Sequence, residues 1–157
     1  MRRFAIVALL VLAGCGSDEP HKSLPPQPTD VQPTRLGVWA TYPEDTDANG
    51  YLDTVDVTVY ISSDQYPAPI ALPGTFEFRL VGKDGKELAK WTIPEEQEIK
   101  SARRMPAGPA YFFRLSILTV GTDKVDAQQA ELSAEFKPRT GQMVRAPLTA
   151  LRFGQVR

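Results

Sequence analysis

The chain has 157 residues, with 18 basic and 19 acidic side chains and a formal charge of −1. That length holds one ordinary domain, and the near-neutral balance excludes a nucleic-acid binder, because neutralising a phosphate backbone takes a basic excess. The one histidine, His21, and the one cysteine, Cys15, both stand near the N-terminus, so the region after them has neither imidazole nor thiol; Ser-His-Asp and Cys-His catalysis, Cys/His zinc sites and structural disulfides are excluded there.

Residues 1–15 place Arg2 and Arg3 before an unbroken apolar run from Phe4 to Ala13 and end in Leu12-Ala13-Gly14-Cys15. The run is much shorter than the roughly 20 residues of a spanning helix, so it reads as a secretory signal and not as a permanent span. Its last four residues resemble the lipobox of bacterial lipoproteins. The resemblance implies that residues 1–14 are a signal peptide, that the bond before Cys15 is cut, and that Cys15 carries covalent lipid, including palmitate-type acyl chains. Two or three such chains anchor a protein stably, at about 0.8 kcal/mol per buried methylene. Gly16 and Ser17 follow the cysteine where an Asp would retain a lipoprotein at the inner membrane. The resemblance therefore implies a lipid-anchored protein of the cell envelope, at the outer membrane in a diderm.

Residues 15–34 contain prolines at 20, 25, 26, 28 and 33 and few large apolar side chains. Proline fixes its own backbone and extends the residue before it, so this segment is expected to be a semi-rigid tether of about 3 Å per residue. His21 falls within it as a solvated spacer residue.

From 35 to 157 the apolar period is two. Leu36 to Tyr42 is a first short candidate strand. Val55, Val57, Val59 and Ile61 point one way while Thr54, Asp56, Thr58 and Tyr60 point the other. Phe76, Phe78 and Leu80 form the next face, followed by Glu87 to Ile93. Lys83-Asp84-Gly85-Lys86 between these two suits a tight hairpin turn. Thr92 to Arg104 reads as the one short helix: Thr92 and Glu95 make a capping box, acidic residues fill the early turns and basic residues the late ones. Ile99 and Ala102 are its apolar side, and Pro106, Gly108 and Pro109 end it. Tyr111 to Ile117, Ala130 to Phe136 and Leu148 to Phe153 complete about seven strands. The expected fold is all-β, an antiparallel two-sheet sandwich with one short helix, which resembles immunoglobulin-like or C2-like domains in strand number and spacing. Trp39 and Trp91 are expected as core or edge packing residues rather than ligand platforms.

One segment carries chemistry. Asp45-Thr46-Asp47-Ala48-Asn49-Gly50-Tyr51-Leu52-Asp53-Thr54-Val55-Asp56 resembles an EF-hand-type calcium loop. The resemblance implies oxygen ligands from Asp45, Asp47 and Asn49, the Tyr51 carbonyl, Asp53, and Asp56 at the twelfth position, with Gly50 at the sharp turn. The twelfth residue is Asp instead of the longer Glu, and Pro43 and the β-branched run from Val55 replace the flanking helices. The implied form is a helix-less loop of the kind found in dockerin-like and other extracellular domains. The same residues also suit a metal-free Asp/Asn/Gly turn between strands. Glu95, Glu96 and Glu98 read as a solvated helix start rather than a glycosidase pair. Gly-x-Ser-x-Gly, Walker-type and dinucleotide motifs are absent from the sequence.

The expected function is that of a noncatalytic, membrane-anchored envelope lipoprotein whose sandwich meets an envelope protein, with calcium as a stabilising ion. The alternative is a calcium-dependent module for carbohydrate or another ligand.

Overall fold

The computed structural model describes residues 26–122, 124 and 129–155. Cys15, the signal segment and His21 lie outside the described residues. The strands in chain order are β1 (Arg35–Ala40), β2 (Tyr51–Leu52), β3 (Thr54–Ser63), β4 (Tyr66–Ile70), β5 (Gly74–Gly82), β6 (Glu87–Ile93), β7 (Ala102–Met105), β8 (Gly108–Ser116), β9 (Ala130–Pro138), β10 (Val144–Arg145), β11 (Thr149–Leu151) and β12 (Gly154–Gln155). A helix, α1 (Glu95–Ser101), lies between β6 and β7, and a 3₁₀ turn (Ile117–Thr119) follows β8.

The fold is the expected antiparallel sandwich. One sheet has the order β1-β3-β8-β7, with β4 on β3; the other has β10-β9-β5-β6, with β11 on β9; β2 and β12 form a separate ribbon. The seven expected strands are all present as β1, β3, β5, β6, β8, β9 and β11, and the five additional ones are short or at edges. Among those, β4 contains Pro67 and Pro69, which lack the N–H of a ladder donor and are tolerated at a sheet edge. The β5–β6 turn closes as expected: the Gly82 N–H donates to the Lys86 carbonyl at 2.8 Å, and Gly85 takes a φ of 81°.

Alternation builds the core. In β3 the valines and Ile61 are buried while Asp56, Thr58, Tyr60 and Ser62 are half-exposed. Phe76 of β5 sits at the centre of the interior, with ring centroids 4.6 Å from Phe136, 5.0 Å from Phe113 and 5.1 Å from Tyr111. It thereby couples the two sheets. Gly74, at the start of β5, lets Phe136 come close: a Cβ there would lie 2.7 Å from its ring and 2.5 Å from the Lys137 carbonyl.

Three expectations need correction. The described end of the proline-rich tether, 26–34, packs on the domain: Val31 is buried, the Gln27 side chain bonds both backbone groups of Ala71 at 2.9 Å, and the Thr34 N–H donates to Ser62. Val31 and the hydrogen bonds of Gln27, Gln32 and Thr34 dock the segment, which turns at 29–30. The helix starts later than Thr92 and without a capping box, because Thr92 pairs with Glu77 in the β5–β6 ladder. Pro94, which cannot continue that ladder, takes the N-cap place. The helix ends at Ser101, since Ala102–Met105 join β8 as an edge strand. Its buried side is also reversed: Ile99 is 62% exposed, whereas Glu98 is only 2% exposed.

Phe76→Ala should cost about 3–5 kcal/mol of unfolding free energy, the range for deleting a buried aromatic side chain. Urea unfolding followed by circular dichroism reads this; a loss below about 1 kcal/mol would mean that the ring is not the centre of the core.

Candidate functional site

The acidic loop joins β1 to β3. Asp45, Asp47 and Asp53 each bring a carboxylate oxygen within 4.8 Å of the others. That spread fits a single calcium, whose ligands stand about 2.3–2.6 Å from the ion on different sides. The backbone enforces the curl: Ala48 takes a φ of 59° and Gly50 one of 89°. Asp45 accepts from the Asn49 N–H at 3.1 Å and the Gly50 N–H at 2.8 Å, and Asp47 accepts from the Asn49 N–H at 3.2 Å and side-chain amide at 3.0 Å. A carboxylate oxygen that accepts one hydrogen bond keeps a second lone pair, so these bonds orient ligands without consuming them.

Asp53 is fully buried where the loop enters β3. It accepts from the Thr46 N–H at 2.7 Å, the Thr46 hydroxyl at 2.6 Å and the Thr54 hydroxyl. Burial pushes its pKa up, but the donors from Thr46, Thr54 and the Asp47 backbone outweigh this and hold it below the ordinary aspartate range. Its backbone is pinned as well, the N–H donating to Glu44 and the carbonyl accepting from Ile117, both at 2.8 Å. Asp53 is therefore first the loop's structural nail: its two oxygens already accept from four donors, so as a ligand it would exchange one of them for the ion.

The other sequence candidates are placed differently. Asp56 does not join the cluster: it is half-exposed on β3 and forms an ion pair with Arg114 at 3.1 Å, and Arg114 also reaches Glu44 at 3.1 Å. The reason is that β3 is already extended at Thr54, so the chain no longer curls when it reaches the twelfth position. The Asn49 side-chain oxygen accepts the Tyr51 N–H at 2.9 Å. Tyr51 itself pairs with Gln155, so the terminal ribbon clamps the loop's exit.

Two features differ from the sequence expectation, which has Trp39 as a core or edge packing residue and Glu98 as part of a solvated helix start. The first is the outer face of the β1-β3-β8-β7 sheet. Trp91 is buried, with its indole N–H donating to the Ser116 carbonyl at 3.0 Å, but Trp39 is 63% exposed. Trp39, Thr58 and Phe112 stand in one cross-strand row, and the Trp39 ring meets Tyr60 edge-on at 5.5 Å and 88°. Gly37 makes room for the indole, since a Cβ there would lie 3.2 Å from the ring. Parity was the available signal: Leu36 and Val38 face inward, so Trp39 faces out.

The second is Glu98. It lies against Tyr111 and the Gly74 N–H, and its Oε2 has no hydrogen-bond partner among the described residues. Burial, opposed by the Tyr111 hydroxyl, pushes its pKa up to about 7, and the Glu95 charge adds to the rise. Burial and the Glu98 charge raise the Tyr111 pKa in turn. Glu95 is ion-paired with Arg139, so the two carboxyl groups do not form a matched acid and base in an open cleft. A cleft of about 810 Å³ does open at one end of the sandwich, near Tyr42, Lys83 and Arg152, but none of the loop carboxylates lines it. Among the described residues no helix is long and apolar enough to cross a membrane.

No protein-family model matches this chain, and no curated protein matches it.

Glu98 sets a pH dependence. A carboxyl whose folded pKa is raised to about 7 from 4.5 contributes stability that is complete below 4.5 and lost as pH rises through 7. Wild type should lose of the order of 3 kcal/mol between pH 4.5 and 8 from this group, and Glu98→Gln should remove that loss. Parallel stability curves for the two proteins over this range would refute the assignment.

Proposed function

We propose that this protein is a noncatalytic, lipid-anchored envelope protein whose sandwich is an interaction module stabilised by calcium in the 45–53 loop. One observation carries the module reading: the outer face of the β1-β3-β8-β7 sheet leaves Trp39 and Phe112 exposed although the opposite face of the same strands is packed in the core. Large aromatic groups on such a face bury much surface at low entropic cost when a partner arrives. The membrane reading rests on the lipobox-like Leu12-Ala13-Gly14-Cys15, and the noncatalytic reading on a domain sequence without histidine or cysteine.

Calcium acts here on the fold. Asp45, Asp47 and Asp53 would hold the ion, with Asp56 left to Arg114. The ion supplies positive charge to three carboxylates that otherwise repel one another. The loop joins β3 at Thr54, whereas Trp39 pairs opposite Thr58. Four residues of strand separate them by about 13 Å, so the ion stabilises the platform from a distance rather than bridging to its ligand.

Radioactive palmitate should label wild type, and Cys15→Ala should abolish both label and signal processing. An unlabelled wild-type protein would remove the anchor. Calcium at ten times its dissociation constant should stabilise the domain by about 1.4 kcal/mol, a shift of a few degrees in Tm, which chelator reverses. Asp47→Ala should abolish that response while keeping the all-β far-UV spectrum. A Tm unchanged by millimolar calcium would leave the loop as a metal-free turn.

A further inference from the structure

The exposed face of the β1-β3-β8-β7 sheet is a groove of about 640 Å³, bordered by Trp39, Thr58, Tyr60, Ser62, Met105 and Phe112, with Pro69 and Ala107 at one end. None of its lining residues carries a charge at neutral pH. Of the charges nearby, Arg114 is paired with Glu44 and Asp56 and Arg35 with Asp64 at 2.8 Å, whereas the Arg103 guanidinium, which donates to the carbonyls of Lys100 and Ala102, keeps its charge and Arg104 is exposed beside Met105. The lining itself therefore offers no counter-charge to an anionic or cationic ligand. It offers aromatic surface and the hydroxyls of Thr58, Tyr60 and Ser62.

We propose that this groove binds a neutral polysaccharide chain, one sugar ring stacking on the Trp39 indole within the corner that Tyr60 forms with it. This rests on the interaction-module reading above and names the module's ligand. A pyranose ring has an apolar face of C–H groups and a rim of hydroxyls. The first suits the indole, which is laid along β1 by the bare backbone of Gly37, and the second suits donors and acceptors at the groove edge. The right angle between Trp39 and Tyr60 gives one aromatic floor and one aromatic wall. Phe112, across Thr58 from Trp39, extends the apolar floor for the next ring along the chain. The loop cluster stands apart from the groove, so binding does not require calcium to touch the sugar.

Affinity electrophoresis tests this with the purified chain in mild detergent, run through gels containing barley β-glucan, arabinoxylan or galactomannan, with alginate as the anionic control. At least one neutral polysaccharide should retard wild type, with calcium or with chelator, and alginate should not. Trp39→Ala and Phe112→Ala should each weaken that retardation about tenfold. Neither side chain reaches the core, so both variants should keep the wild-type spectrum and Trp39→Ala, at a 63% exposed position, its Tm, and Trp39 emission should shift to the blue when the glycan is added. The proposal fails if no neutral polysaccharide retards the chain, if Trp39→Ala is retarded as strongly as wild type, or if alginate alone binds. It fails equally if the face proves to be covered by a second copy in sedimentation velocity or by anionic phospholipid vesicles instead. Palmitate labelling of Cys15 tests the anchor and the Tm response to calcium tests the loop, both independently of the glycan result, whereas binding of the face by a second copy or by vesicles would keep the module reading and overturn only the glycan.

Discussion

The contact on which the architecture depends is the cluster around Phe76. Its ring touches Phe136 within its own sheet and Tyr111 and Phe113 of the facing one, so a single side chain fixes both the spacing of the sheets and their lateral register. Tight packing of this kind leaves no freedom in which parity each strand presents inward. Val57 and Phe113, paired across β3 and β8, must face the core if Phe76 is to be covered. Thr58 and Phe112, the next pair, must then face solvent. The exposed aromatic face is thus a geometric consequence of the buried one.

Tyr111 carries the same constraint to the helix. Its hydroxyl accepts the Leu72 N–H at 3.1 Å and lies 3.3 Å from the Leu72 carbonyl, which shares its single proton with Glu98, while its ring packs on Phe76. Leu72 lies in the crossing from β4 to β5, so this phenol ties together the strands on both sides of the sandwich. Glu98 reaches the same hydroxyl from α1, a helix that packs on β5 and β8. The helix is short, and its exposed Ile99 contributes little burial. What holds it is a polar contact at depth, and the accompanying orphan oxygen makes that contact sensitive to protonation.

Strand identity was legible because a period of two survives in β3, β5, β8 and β9, where each alternate residue is buried. Short strands such as β2, β10 and β12 have too few residues to show a period: β10 forms on the edge of β9, and β2 and β12 pair only with each other. The helix misled for a physical reason: Thr92 satisfies both a capping pattern and a ladder position, and pairing with Glu77 across β5 outweighs a local cap. In the loop, three carboxylates were legible from local spacing. Asp56 was not, since its fate depends on Arg114, 58 residues away, which no local pattern reveals.

Register also separates the acidic loop from the exposed aromatic face. The loop fixes Thr54, the first residue of β3, through the Glu44 carbonyl and the Asp53 carboxylate. A strand held at its start is held along its length by the ladders with β1 and β8, so order imposed at Thr54 carries to Thr58 and Tyr60. An ion in the loop would then change the rigidity of the aromatic face without touching it, since ordering the platform beforehand lowers the entropy lost when a ligand lands. The buried Asp53, whose hydrogen bonds already do part of that work, explains how the loop keeps its shape through its own donors while still aiming the Asp45 and Asp47 carboxylates at a common point.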